Sequence, residues 1–122
     1  MKILLAEDDN LIRKTIEMKL VKDGHDIISC SEGTTALQNL KTDLSGLPDI
    51  VITDIMLPSA SGLEIVSAVK EVAEKPIKVI VLSAMGQEDI VEEAFKLGAD
   101  DYMTKPFSLT ELSIRVKKLA GK

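Results

Sequence analysis

Four separated places in the chain carry side chains able to do chemistry together: the acidic run Glu7-Asp8-Asp9, the isolated Asp54, the hydroxyl of Ser83 followed by Ala84, and Lys105 ahead of Pro106. Each follows one of the short, mainly apolar runs of the chain. Clustered carboxylates repel one another in a partly dry cleft unless a cation or a proton intervenes. Oxygen donors without His or Cys suit a hard cation such as Mg²⁺, which keeps waters and often binds through carboxylates plus a phosphate. A phosphoryl group arriving there would meet three stabilisers: the metal, the Lys105 ammonium and the Ser83 hydroxyl. Phosphoryl transfer needs little beyond such positioning and charge neutralisation, so the set suffices for an aspartate to be the acceptor. Residue chemistry alone leaves open which carboxylate is the nucleophile.

The elements that must deliver these groups are five short apolar runs, residues 2–6, 26–30, 50–53, 78–82 and 101–104. Each is followed by a segment of helical period, so the chain reads as successive strand–helix units. Runs such as Ile50-Val51-Ile52 and Val79-Ile80-Val81-Leu82 suit strands covered by helices on both faces, as in a parallel sheet. Helical faces are traced by Leu11, Ile12, Thr15, Ile16 and Leu20, by Ile65, Val66 and Val69, and by Ile90, Val91, Ala94 and Leu97. Ser61-Gly62-Leu63-Glu64 and Ser108-Leu109-Thr110-Glu111 have the capping-box spacing. Gly24 and Gly98 stand where helices should stop, and residues 41–49, with Ser45-Gly46 and Pro48, read as a loop. Right-handed crossovers then require a doubly wound (βα)₅ three-layer sandwich, α/β in class, around a parallel five-stranded sheet. Ligands of such sheets bind outside the carboxyl ends of the strands, where the four polar groups fall.

A length of 122 residues fits one domain spanning 1–122. Hydrophobic residues at 45% and charged residues at 29% give a soluble globular balance, with no apolar run of membrane-spanning length. The N-terminal apolar stretch runs straight into Glu7-Asp8-Asp9 and is too short for a secretory signal, so a cytoplasmic location is expected. Cys30, the only cysteine, excludes an intrachain disulfide and a cysteine metal cluster, and is expected to be a buried thiol. A net charge of −5 argues against direct binding to nucleic acid or an anionic membrane. With no Trp, one Tyr and two Phe, platforms for stacking bases or flavin rings are scarce.

Taken in order, Glu7-Asp8-Asp9, Asp54-Ile55-Met56-Leu57-Pro58-Ser59-Ala60-Ser61-Gly62, Ser83-Ala84 and Gly98-Ala99-Asp100-Asp101-Tyr102-Met103-Thr104-Lys105-Pro106-Phe107 closely resemble the response-regulator receiver domains of two-component signalling. The resemblance spans nearly the whole chain. It implies the flavodoxin-like strand order 2-1-3-4-5, Asp54 as phosphoacceptor, Asp8 as a direct Mg²⁺ ligand, Glu7 as a largely water-mediated one, and the backbone carbonyl of Met56 as a further ligand. It also implies that Ser83 and Lys105 contact the phosphoryl group, that the Lys105-Pro106 peptide is cis, and that Tyr102 turns inward when Ser83 closes on phosphate. The implied partners are a sensor histidine kinase or phosphotransfer protein, an output domain or effector, and a second copy in a phosphorylation-dependent homodimer. Glu7 in place of Asp, and the segment from Lys105 to Lys117, resemble the receivers of winged-helix transcription regulators. That group usually carries a basic residue for intermolecular ion pairs near Val91-Glu92-Glu93, where this chain is acidic.

Plainer readings stand beside these. Asp9 fits a helix cap as well as a metal role, Tyr102 fits a half-buried strand aromatic, His25 in a turn after Gly24 is structural, and Asp100 and Asp101 read as a solvated entry to the last strand. Met56 and Met85 lie two residues beyond Asp54 and Ser83, where apolar side chains should hinder an attacking water and lengthen the life of a phosphoryl-aspartate. A Mg²⁺-dependent phosphatase using an aspartyl-phosphate would need a second acid where Met56 stands. A flavin carrier of the same architecture would need a phosphate-binding loop after the first strand, and a receiver acting as an unphosphorylated scaffold would not need the complete acid, Ser and Lys set. The end of the chain shortly after the last helix fits either a stand-alone regulator or the front of a longer one.

Overall fold

The computed structural model describes residues 1–41, 46–72 and 76–121. Strands and helices alternate: β1 (Lys2–Ala6), α1 (Asn10–Lys22), β2 (Asp26–Cys30), α2 (Gly33–Asn39), β3 (Ile50–Asp54), α3 (Gly62–Lys70), β4 (Lys78–Ser83), α4 (Glu88–Leu97), β5 (Asp101–Thr104) and α5 (Leu109–Ala120). The five strands pair in parallel in the order β2-β1-β3-β4-β5, as the resemblance implies. Of the expected loop at 41–49, residues 42–45 lie outside the described residues, as does Lys122.

Side chains alternate across a strand, and that alternation divides the core in two. Ile3, Leu5, Ile50, Ile52, Ile80 and Leu82 face Ile16 and Leu20 of α1 and Leu112 and Val116 of α5. Leu4, Val51, Val79 and Val81 face the other way, onto Ile65, Val66 and Val69 of α3 and Val91 and Ala94 of α4. The winding direction therefore changes between β1 and β3, whose carboxyl ends carry Glu7-Asp8 and Asp54. Strands β3 and β4 each run one residue further than their apolar runs predict. Asp54 pairs with Leu82, and Ser83 with Thr104, so both polar groups stand on sheet backbone and not on loops.

The caps agree in part. Asp9 accepts from the Ile12 amide at 2.9 Å, which gives it the helix-cap role. Ser61 and Glu64 form the full reciprocal box. Ser108 accepts from the Glu111 amide, but the Glu111 carboxylate goes to Arg115 at 3.0 Å, so that box is half made. Gly24 and Gly98 both end helices at positive φ. Gly62 is required for a different reason: a Cβ there would stand 2.3 Å from the Asp54 carbonyl oxygen. Gly62→Ala is expected to lower stability by about 2 kcal/mol through this overpacking, and a urea midpoint equal to wild type would contradict it.

Three expectations need correction. Leu11 is 77% exposed and Thr15 is exposed, so α1 buries a narrower face; both residues line a groove shared with Pro106, Phe107 and Leu109. Asp100 is exposed, as an entry residue should be, but it is not free in solvent: it accepts from the Val79 amide at 2.8 Å and lies 3.5 Å from the Lys70 ammonium. Asp101 accepts from both the Tyr102 amide at 2.8 Å and Arg115 Nη1 at 2.6 Å, while Arg115 also donates to the Tyr102 carbonyl at 3.1 Å. Cys30 is buried, as expected, and burial pushes its thiol pKa up. His25 lies in the turn after Gly24, with Nδ1 3.4 Å from the Met1 amino group. Among the described residues no helix is long and apolar enough to cross a membrane.

Candidate functional site

The carboxyl ends of β1, β3, β4 and β5 converge on one rim. Glu7 continues β1 by one residue, its amide donating to the Cys30 carbonyl at 3.0 Å, and is fully buried. Its Oε2 accepts from the Asp9 amide at 3.1 Å, which folds the turn so that Asp8 projects beside it. Asp54 ends β3 and is also buried. Carboxylate oxygens of Glu7, Asp8 and Asp54 lie within 4.8 Å of one another.

Lys105 answers that charge. Its Nζ is 2.8 Å from Asp54 Oδ2 and 2.8 Å from Glu7 Oε1. The contact with Asp54 is a hydrogen bond; the contact with Glu7 is one of charge, because among the described residues the buried Glu7 Oε1 has no aligned donor. Burial raises the Glu7 pKa, and the Lys105 ammonium and Asp9 amide offset this only in part. For Lys105 burial acts to lower the pKa, but the two carboxylates outweigh it and hold the ammonium above its ordinary value. An all-oxygen donor set with one buried oxygen lacking an aligned donor fits a hard divalent cation, so the residues present match the Mg²⁺ expectation.

The backbone aims Lys105. Its amide donates to the Ser83 carbonyl at 2.7 Å, and the Lys105-Pro106 peptide is cis, as expected. Ser83 is buried with Oγ 3.5 Å from Thr104 Oγ1. The next residue, Ala84, has its amide held by Gln87 Oε1 at 2.6 Å, which orders the start of the loop into α4. Tyr102 is 42% exposed and packs edge-on to Phe95, ring centroids 5.8 Å apart. A cavity of about 300 Å³, bounded by Ser83, Ala84, Val91, Tyr102 and Thr104, separates its ring from the Ser83 side. Met56 and Met85 are 56% and 79% exposed, on the loops that follow β3 and β4.

The structure thus brings together Glu7, Asp8, Asp54 and Lys105, sets Ser83 on the adjoining strand, and holds Tyr102 outward. Sequence reasoning missed Thr104, Gln87 and Arg13. Thr104 was legible as the residue before Lys105, on the rim itself. Gln87 accepts from the Ala84 amide and Arg13 Nη1 donates to the Glu7 carbonyl at 2.9 Å, and a side chain's choice of a backbone partner leaves no spacing pattern.

The model of the response regulator receiver domain family matches residues 3–117. The chain is 35% identical over 118 residues to the alkaline phosphatase synthesis transcriptional regulatory protein PhoP of Bacillus subtilis, covering 97% of this chain and 48% of that protein. It is 40% identical over 121 residues to response regulator RR06 of Streptococcus pneumoniae, covering 98% and 52%. The chain therefore spans about half the length of these relatives. Among solved structures, the BeF3-activated DrrB receiver domain, from a Thermotoga maritima protein, superposes with a TM-score of 0.87 at 32% identity, covering 99% of this chain and 97% of that one.

Proposed function

The chain belongs to the response regulator receiver domain family, and from that premise we propose that residues 1–122 form one phosphorylation-dependent switch whose acceptor is Asp54. The observation that carries the assignment is the Lys105 ammonium 2.8 Å from Asp54 Oδ2 at the end of β3, beside Glu7 and Asp8. In this reading an Asp54 oxygen attacks the phosphorus of a phosphohistidine on a sensor kinase or phosphotransfer protein. The O–P bond forms as the P–N bond breaks, and the imidazole leaves with the bonding pair. Lys105 pairs with the charge on the transferred oxygens, and the Ser83 hydroxyl donates to one of them. Glu7, Asp8, Asp54 and the Met56 carbonyl would hold Mg²⁺, which supplies further neutralisation of the phosphoryl charge when bound.

Loss of the phosphoryl group is the domain's own reaction with water, so it turns over no separate substrate. Ser83 drawn toward phosphate leaves the cavity beside it open to the Tyr102 ring, and the α4-β5-α5 face changes shape for an output domain, an effector or a second copy. A cytoplasmic location fits these partners. A Mg²⁺-dependent phosphatase is disfavoured because Met56 stands where its second acid would be.

The test is incubation with Mg²⁺ and acetyl phosphate followed by intact mass and hydroxylamine treatment. A single hydroxylamine-labile phosphoryl adduct is expected; its absence would overturn the reading. Beryllofluoride, the agent named for the DrrB receiver, should block that labelling. The exposed Met56 and Met85 offer no base or orienting group to water, so the double variant Met56→Asn, Met85→Glu is expected to speed loss of the adduct at least ~10-fold. An equal or slower decay of the radiolabelled protein would refute the shielding role of the methionines.

A further inference from the structure

The turn that carries Glu7 and Asp8 is held by a cation that the proposed phosphotransfer does not use. The last sheet pair of β1 is Ala6 with Cys30, so the carbonyl of the buried Glu7 lies just past the ladder. Its partner is Arg13 Nη1 at 2.9 Å, reaching back from the first turn of α1, while Nη2 donates to the Asn10 side chain. The same turn ties Glu7 Oε2 to the Asp9 amide and Asp9 Oδ1 to the Ile12 amide. A buried carbonyl stripped of its donor is costly, and the peptide relieves that cost by turning toward water. That peptide is the one joining Glu7 to Asp8.

We propose that Arg13 is a positioning residue for the cation site, fixing the Glu7–Asp8 peptide so that both carboxylates face the ion together. The proposal rests on the reading of Glu7, Asp8 and Asp54 as Mg²⁺ ligands. It also has a distinctive sign. A guanidinium beside an acidic site repels a divalent cation, so on charge alone removing Arg13 tightens Mg²⁺ binding. Loss of a group that orients ligands weakens it.

The experiment is calorimetric titration of Mg²⁺ into wild type, Arg13→Met, Arg13→Lys and Asn10→Ala at fixed ionic strength. Arg13→Met is expected to bind roughly 10-fold more weakly, as for other groups that orient metal ligands. Arg13→Lys, which keeps one donor for the carbonyl, falls between Met and wild type, and Asn10→Ala stays near wild type. The acetyl phosphate labelling rate should recover to the wild-type value at saturating Mg²⁺, and in the metal-free Met variant the Asp9 amide should exchange faster with solvent. Equal or tighter binding by Arg13→Met, or a labelling rate that stays low at saturating Mg²⁺, overturns the inference. If Arg13→Met does not fold, Arg13→Lys decides by the same criteria. Absence of Mg²⁺ binding by wild type overturns the cation site itself, a failure the variants do not share.

Discussion

Asp54→Asn is expected to abolish the phosphoryl adduct while leaving the fold intact. The side chains are nearly isosteric, and the amide oxygen can still accept from Lys105 Nζ, now 2.8 Å from Asp54 Oδ2, so stability should change by no more than about 1 kcal/mol. Reactivity changes in kind, because the amide carries no negative charge and its oxygen is a poor nucleophile. Intact mass after acetyl phosphate treatment should show the adduct on wild type alone. Equal labelling of the variant would move the acceptor to Glu7 or Asp8, whose carboxylate oxygens lie within 4.8 Å of that of Asp54.

Lys105→Met is expected to have the second largest effect, and one that Mg²⁺ reverses. The ammonium stands between two buried carboxylates; without it Asp54 and Glu7 face each other unneutralised. With the lysine side chain 22% exposed, solvent screens part of the interaction, and the metal-free loss should be about 1–2 kcal/mol. Added Mg²⁺ should restore stability more steeply than in wild type, because no ammonium competes for the same oxygens. The pH dependence has a definite sign as well. Lys105 is raised above its ordinary 10.5, so its contribution is fully present below that value and is lost as pH rises through the raised pKa. Lys105→Met should lack this alkaline loss. Urea curves with and without Mg²⁺, at neutral and alkaline pH, measure all of this; a variant as stable as wild type without metal would contradict the bridging role.

The architecture was legible because its signals are periodic. Five short apolar runs and the helical faces between them specify strand–helix alternation, and handedness then leaves few topologies. The order 2-1-3-4-5 came from the motif resemblance and is what the structure has. The rim was legible for a related reason: a polar residue that abruptly ends a buried strand stands out, as Asp54 and Ser83 do. Strand ends were less so, since a buried polar residue and a loop residue look alike until the ladder is seen.

Exposure and pairing of polar residues were the weakest reading. Leu11 looked like core because it fits the period of α1, yet it stays 77% exposed while its neighbour Ile12 takes the contact with the core. Asp100 and Asp101 looked simply solvated because acids at turns usually are, yet Asp100 is held by the Val79 amide and the Lys70 ammonium, and Asp101 by its neighbour's amide and Arg115 of α5. Glu111 had the right spacing for a box, but Arg115 one turn further on claims its carboxylate. For Asp100 and Asp101 the deciding cation lies in another element; for Glu111 two favourable local spacings compete within α5, and the period does not say which wins.

The Arg115 cluster has one more consequence, for how the molecule behaves in crowded solution. Strand β5 closes one side of the sheet, and an open strand edge is a template on which another chain can add a strand and seed aggregation. At Tyr102 both main-chain groups are taken by side chains, the amide by Asp101 and the carbonyl by Arg115. That strand is also only four residues long. The flank of the sheet at Tyr102 is thus sealed against edge-to-edge growth by two charged side chains.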